Sequence, residues 1–207
     1  MSNFIYLASQ SPRRQELLKQ IGVRYEMLLP TPGEDAESIE IPLPQEKARD
    51  YVKRVTLAKA SLALERWRKS GLPWAPVLCA DTTVSLPNSA DGEILGKPID
   101  TNDARRILEM LSGKTHEVLT AVALIINPED APNCVVQISE VEFATLSAEQ
   151  IDAYIATEEP FGKAGAYGIQ GSASAFISKI NGSYSGIMGL PLFETAQLLD
   201  HARITRI

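Results

Sequence analysis

The chain has 207 residues, of which 44% are hydrophobic, enough to bury the core of one large domain or of two smaller lobes that share a core. The formal net charge of -6 argues against broad, nonspecific nucleic-acid binding, because that mode needs an electropositive surface. No apolar run approaches the roughly 20 residues that span a bilayer, and no basic segment typical of a signal peptide precedes the first apolar residues, so we expect a cytoplasmic protein without membrane contact.

Hydrophobic periodicity predicts an α/β chain. The predicted strands are residues 4–8, 25–29, 76–84, 117–126, 135–145 and 175–180. The predicted helices are residues 12–21, 45–69, 101–111, 147–156 and 191–201, the fourth of which begins with a capping box. A Pro-rich acidic loop at residues 30–44 is long enough to be functional, and the strands at 117–126 and 135–145 are predicted to form an antiparallel hairpin.

The first predicted helix begins with groups that bind anions. Ser11 suits the N-cap, and Pro12 suits the first helical position, where its missing N–H costs nothing. The free N–H groups of the first turn, the helix dipole and the guanidinium groups of Arg13 and Arg14 all attract phosphate. The same residues also fit an ordinary helix start with a solvated arginine pair, so the motif alone leaves both interpretations open.

One carboxylate, that of Asp81, is predicted near the end of the apolar strand at residues 76–84. Burial of an unpaired carboxylate is costly, so we expect a metal ion, a lysine or a set of hydrogen bonds to hold it. The alternative is an Asp that caps a turn through backbone amides. Lys59, Lys97 and Lys163 each lie near glycine or small residues, where a ligand can approach closely, although each also fits an ordinary surface lysine.

These groups together favour metal-assisted phosphoryl chemistry, in which basic side chains neutralise phosphate oxygens while carboxylates hold a divalent ion and orient water. The sequence contains neither a Gly-x4-Gly-Lys-Ser/Thr motif nor a Gly-x-Ser-x-Gly elbow, which disfavours a P-loop NTPase and gives no support to a serine triad. His116 and His201 lack metal-ligand spacing and are predicted to be structural. Cys79 and Cys134 are predicted to be two buried free thiols.

Seven short motifs follow one another along nearly the whole chain. They are Leu-Ala-Ser-Gln-Ser-Pro-Arg-Arg at 7–14, Cys-Ala-Asp-Thr at 79–82, Gly-Lys-Pro at 96–98, Leu-Ser-Gly-Lys-Thr-His at 111–116, Lys-Ala-Gly-Ala-Tyr-Gly-Ile-Gln-Gly at 163–171, Ile-Asn-Gly-Ser-Tyr at 180–184 and Gly-Leu-Pro at 189–191. In identity and order they resemble the motifs of the Maf-like nucleoside triphosphate pyrophosphatases.

The resemblance implies a mixed α/β fold related to that of the inosine triphosphate pyrophosphatases, a single domain over residues 1–207 in which a long twisted sheet with flanking helices forms a cleft between two lobes. It also implies hydrolysis between the α and β phosphates, which gives a nucleoside monophosphate and pyrophosphate with help from Mg²⁺ or Mn²⁺. A homodimer is a further expectation from the family.

The resemblance also assigns roles to individual residues. Asp81 matches the family's catalytic acid, as general base for water, as metal ligand or as both. The phosphate-binding set comprises Ser11, Arg14, Lys59, Lys97 and Lys163. An acidic residue on the metal side falls at Glu34 or at Asp35, and the departure of this loop from the family's usual spacing leaves both open.

Three further positions sort the family by substrate, and here they are Arg13, Thr82 and Gln170. This set is similar to the branch that hydrolyses dTTP and UTP, and a glutamine amide can both donate to and accept from the edge of uracil or thymine. The resemblance therefore implies a dTTP and UTP pyrophosphatase. The alternatives are a nucleotide-binding regulator of cell division with little turnover, and an enzyme that prefers modified pyrimidine nucleotides.

Overall fold

The structure is a computed structural model, and it describes residues 3–31, 34, 38–87 and 93–206. These residues form a seven-stranded sheet and six α-helices. The strands are β1 (Ile5–Leu7), β2 (Tyr25–Met27), β3 (Val77–Leu86), β4 (Glu93–Leu95), β5 (Thr115–Ile125), β6 (Asn133–Phe143) and β7 (Ile177–Asn181). The helices are α1 (Pro12–Gln20), α2 (Ala48–Ser70), α3 (Thr101–Leu111), α4 (Ala148–Ile155), α5 (Tyr184–Met188) and α6 (Leu192–His201).

The sheet is mixed, with the strand order β2-β1-β3-β5-β6-β7 and with β4 paired to the far end of β3. Strand β1 runs parallel to both β2 and β3. The pairs β3–β4, β3–β5, β5–β6 and β6–β7 are antiparallel. The α/β architecture and the β5–β6 hairpin are thus confirmed. No helix within the described ranges combines the length and the apolar character that a bilayer crossing requires.

The two central strands, β3 and β5, are buried along almost their whole length because helices cover both faces of the sheet. Helix α2 packs on β3 and β5 on one face. Val77 and Cys79 of β3 pack in one apolar cluster with Ala60 and Ala63 of that helix. Since side chains alternate along a strand, Asp81 projects to the same side, toward α2.

The structure corrects several expectations from the sequence. Strand β3 continues to Leu86 because β4 and β5 both pair with its second half, so Asp81 lies in the middle of the strand and not near its end. Ser11 occupies the N-cap of α1, but its side chain makes no capping hydrogen bond. Both thiols are free as predicted, although Cys134 is only partly buried. Helix α5 was not predicted from the sequence.

Candidate active site

The N-terminus of α1, the middle of β3, one side of α2 and two loops enclose a cavity of about 500 Å³. The predicted site residues that line it are Ser11, Arg13, Arg14, Glu34, Lys59, Asp81, Thr82, Lys97 and Lys163. Gln170 is exposed and does not line the cavity, whereas its neighbour Ile169 does. Asp35 lies outside the described residues. Segments far apart in the sequence therefore converge on one space of the size that small-molecule sites have.

Lys59 connects two carboxylates at the floor of this cavity. Its Nζ donates to Oδ1 of Asp81 and to Oε1 of Glu40, both at 2.6 Å. Glu40 in turn accepts from the ammonium of Lys97 through Oε2, at 2.8 Å. The four side chains form an alternating chain of charges, which explains how Asp81 and Lys59 are tolerated at a site largely removed from water.

The position of Lys59 follows from the period of α2. Tyr51, Val55 and Lys59 are spaced four residues apart, and residues at this spacing share one face of a helix. The first two are buried against the sheet, so the lysine continues an apolar stripe into the cavity. A lysine in such a stripe is a sequence signal for a buried partner of opposite charge.

Glu40 is the functional candidate that the sequence analysis missed. It ends a short 3-10 helix, Ser38–Glu40, whose main chain is held by α2, since the Tyr51 hydroxyl donates to the Glu40 carbonyl at 2.7 Å. Burial alone would raise the pKa of Glu40, but Lys59 and Lys97 together outweigh burial and hold it below its ordinary value. Glu40 is therefore ionised at neutral pH.

Glu34, the predicted metal-side residue, has a different partner. The guanidinium of Arg66 donates to both of its oxygens, through Nε at 3.0 Å and through Nη2. These hydrogen bonds are the main reason that the pKa of Glu34 is lowered. This bidentate pair joins Glu34 to Arg66, so Glu34 lines the cavity but does not share Lys59 with Asp81 as Glu40 does.

The two adjacent arginines have different environments. Arg14 donates to the Gly189 carbonyl at 2.8 Å, to the Ser9 hydroxyl at 3.1 Å and to the Thr82 hydroxyl at 3.4 Å. These bonds use three of its five N–H groups and leave two for an anion. Arg13 has no hydrogen-bond or ion-pair partner within the described part of the chain, so its charge is available in the cavity.

Thr82 is fixed from both sides. Its hydroxyl accepts from Arg14 and lies 2.9 Å from the Thr120 hydroxyl, which donates to the Gly186 carbonyl at 2.7 Å. Since the Thr120 proton is used on that carbonyl, Thr82 donates to Thr120. Helix α5 thus sets the position of Thr82 through Thr120.

The glycine-rich segment carries a further cation to the cavity wall. Lys163 lines the cavity, and burial together with the nearby charge of Arg13 lowers its pKa. Behind this wall, the Tyr167 hydroxyl lies 2.8 Å from Nε2 of His116, which is fully buried on β5. His116 is therefore structural, as predicted, and it supports the segment that carries Lys163.

Asp81 and Glu40 are the two cavity carboxylates that share a cationic partner. Since one oxygen of each lies 2.6 Å from the same nitrogen, these two oxygens can be no more than 5.2 Å apart. No group of three His, Cys, Asp or Glu side chains suited to a metal occurs in the described ranges. Two carboxylates, completed by phosphate oxygens and water, are the ligand set typical of Mg²⁺ in nucleotide enzymes.

Comparison with known proteins identifies the family of this chain. A dTTP/UTP pyrophosphatase of Burkholderia orbicola is 58% identical over 200 residues, which cover 97% of this chain and 93% of that protein. Proteins of the same name from Albidiferax ferrireducens and Cupriavidus pinatubonensis are 57% and 54% identical, and the alignments cover 97% and 99% of both chains. The family model for Maf-like protein matches residues 4–202, and the chain therefore belongs to the Maf-like family.

Proposed function

We propose that this protein is a cytoplasmic enzyme that hydrolyses dTTP and UTP to the nucleoside monophosphate and pyrophosphate, with a divalent metal ion. The observation that carries the proposal is the pair of carboxylates, Asp81 and Glu40, that share Lys59 within a cavity also lined by Arg13 and Lys163. The name shared by relatives at 54–58% identity supports the same substrates.

The cationic residues bind and orient the triphosphate. Lys97 and Lys163, together with the two free N–H groups of Arg14, offset the charge of the phosphate oxygens. The first-turn N–H groups of α1, beside Ser11, add the partial positive charge of a helix N-terminus. Such fixed cations stabilise the charge that builds up on the leaving pyrophosphate as its bond to the α phosphate breaks.

Asp81 and Glu40 would hold the metal ion, which when bound polarises the phosphate and lowers the pKa of water. Asp81 is also the candidate base that accepts a proton from the attacking water. Its Oδ1 is held by Lys59, while Oδ2 accepts no hydrogen bond within the described ranges. The carboxylate therefore has one oxygen fixed for orientation and one available for the reaction.

Substrate choice is assigned to the wall formed by Arg13, Thr82 and the glycine-rich segment. Gln170 follows directly after Ile169, which lines the cavity, and the family resemblance assigns its amide to the base. This amide matches the N3–H and carbonyl edge that dTTP and UTP share.

The homodimer implied by the family resemblance belongs to the same proposal, and sedimentation of the pure protein tests it.

A panel of nucleoside triphosphates, incubated with pure protein and either Mg²⁺ or Mn²⁺, tests the function. We expect pyrophosphate rather than orthophosphate from dTTP and UTP. Asp81→Asn should lower kcat by at least about a hundredfold, since general-base and electrostatic effects of this size are typical. Asp50→Asn, an exposed acid on α2, is the matched control and should retain full activity.

The alternatives predict other results on the same panel. Tight nucleotide binding without product under either metal would favour a regulator, which the names of the relatives do not favour. Slow turnover of dTTP beside much faster hydrolysis of modified pyrimidine nucleotides would favour the third possibility.

A further inference from the structure

Residues 159–172, here called the pocket loop, follow α4 and form one wall of the cavity through Lys163, Tyr167 and Ile169. The loop has little regular structure apart from the 3-10 turn Ala164–Ala166. Its shape therefore depends on side-chain contacts together with a few main-chain hydrogen bonds.

The carboxylate of Glu159 connects the two ends of the pocket loop. Its Oε2 accepts the backbone N–H of Ser172 at 2.8 Å, thirteen residues further along the chain. Its Oε1 accepts the hydroxyl of Tyr154 on α4 at 3.0 Å. The main-chain carbonyl of Glu159, which a change of side chain keeps, in addition accepts the ammonium of Lys163. The carboxylate therefore acts on Lys163 only through the closed shape of the loop.

Gly171 allows the carboxylate to lie directly against the backbone. A Cβ atom at this position would lie 2.0 Å from Oε1 of Glu159, so any other residue would displace the carboxylate. Burial alone would raise the pKa of Glu159, but the hydrogen bonds from the loop backbone and from Tyr154 lower it further than burial raises it. Glu159 is therefore ionised and accepts strongly.

The middle of the pocket loop has separate anchors. The Tyr167 hydroxyl bonds to His116, and the Gly165 N–H donates to the Gly96 carbonyl at 3.0 Å, next to Lys97. Neither contact involves Glu159. Loss of the Glu159 carboxylate would thus separate the two ends of the loop and loosen the stretch from Glu159 to Lys163, while the anchors at Gly165 and Tyr167 stay in place.

We propose that Glu159 is a positioning residue for nucleotide binding: by closing the pocket loop, it fixes Lys163 where the triphosphate binds. The proposal rests on the proposed function for the identity of the nucleotide. Glu159 does not line the cavity, so it acts through Lys163 and not by contact with the substrate. Asp81 and Lys59 lie on β3 and α2, with which Glu159 shares no hydrogen bond or ion pair among the described residues, so the chemical step is left intact.

Steady-state kinetics with dTTP separate these effects. Glu159→Ala should raise KM about tenfold and change kcat by less than about threefold, the pattern expected when binding is lost and chemistry is kept. Glu159→Gln keeps one acceptor oxygen and should give a smaller rise in KM. This variant also serves as the test if the alanine variant does not fold. Glu158→Gln removes the neighbouring exposed carboxylate and should leave both constants unchanged.

Limited digestion with trypsin supplies a readout independent of turnover. Cleavage after Lys163 should be at least about fivefold faster in Glu159→Ala than in the wild type or in Glu158→Gln, because an opened loop exposes the bond to the protease. Unchanged cleavage would overturn the proposal, as would an unchanged KM in folded variants or a loss confined to kcat. If wild-type protein binds dTTP without hydrolysing it, the proposed function fails, and the dissociation constant of dTTP tests Glu159 in place of KM.

Discussion

Acidification should destabilise this protein through His116 before most carboxylates titrate. The ring is fully buried on β5 and packs edge-on against Phe143 and Tyr167. Burial lowers the pKa of His116 to about 4 in the folded state, from 6.5 for an unhindered ring. The unfolded chain therefore binds a proton that the folded protein excludes, and stability falls as the pH drops from about 6.5 toward about 4.

The size of the effect follows from these two values. Each pKa unit corresponds to about 1.4 kcal/mol, so the complete effect is about 3 kcal/mol. Between pH 7.5 and pH 5.0 we expect a loss of about 2 kcal/mol in the free energy of unfolding from His116 alone. This is a large part of the 5–15 kcal/mol that stabilises typical domains.

Urea unfolding at both pH values, for the wild type and for His116→Gln, measures this contribution. Glutamine can bond to the Tyr167 hydroxyl but does not titrate, and carboxylates contribute equally to both proteins, so their effects cancel in the difference. The free energy of unfolding should fall by about 2 kcal/mol more in the wild type. Equal pH dependence in the two proteins would refute the assignment, since it would mean that folded His116 takes up its proton normally.

Two further pairs of substitutions test the packing of the pocket loop and the choice of metal ligand. Gly165 and Gly71 share φ of +69°, but a Cβ at Gly165 would lie 2.7 Å from Val84, whereas a Cβ at Gly71 would have no atom within 4 Å. In thermal unfolding, Gly165→Ala should therefore lower the free energy of unfolding by about 1–3 kcal/mol more than Gly71→Ala does. Equal losses in the two variants would contradict the packing. Glu40→Gln should weaken Mn²⁺ binding in the presence of nucleotide by about tenfold or more, as measured by paramagnetic resonance, whereas a larger loss in Glu34→Gln would reverse the assignment.

Local sequence signals predicted most of the secondary structure because the physical causes are themselves local. Helix α3 has the predicted bounds, since Asp100 caps its first turn and the apolar spacing is regular. The capping box at Ser147 is present with both of its hydrogen bonds. Helix α5 was missed because it has five residues and contains Gly186, and it depends on contacts with β5 and β6.

The site residues were predictable by type, but their partners were not. The loop at residues 30–44 contains several acids in no regular pattern, so nothing in the sequence separates Glu40 from Glu34. The structure separates them through lysines that are 19 and 57 positions from Glu40. Gln170 was singled out by resemblance and is exposed. The division of the domain into two lobes stays a prediction.

The hydrogen bond from Arg14 to the Gly189 carbonyl joins residues 175 positions apart. Contacts of such long range form late in folding, because the entropy of closing the intervening chain must be offset first by the sheet. Nucleotide affinity should thus return only after the C-terminal helices have docked, later than the helical circular dichroism signal. Partly folded protein in the cell would then not bind nucleotides, because the binding site forms only when the whole chain has reached its final topology.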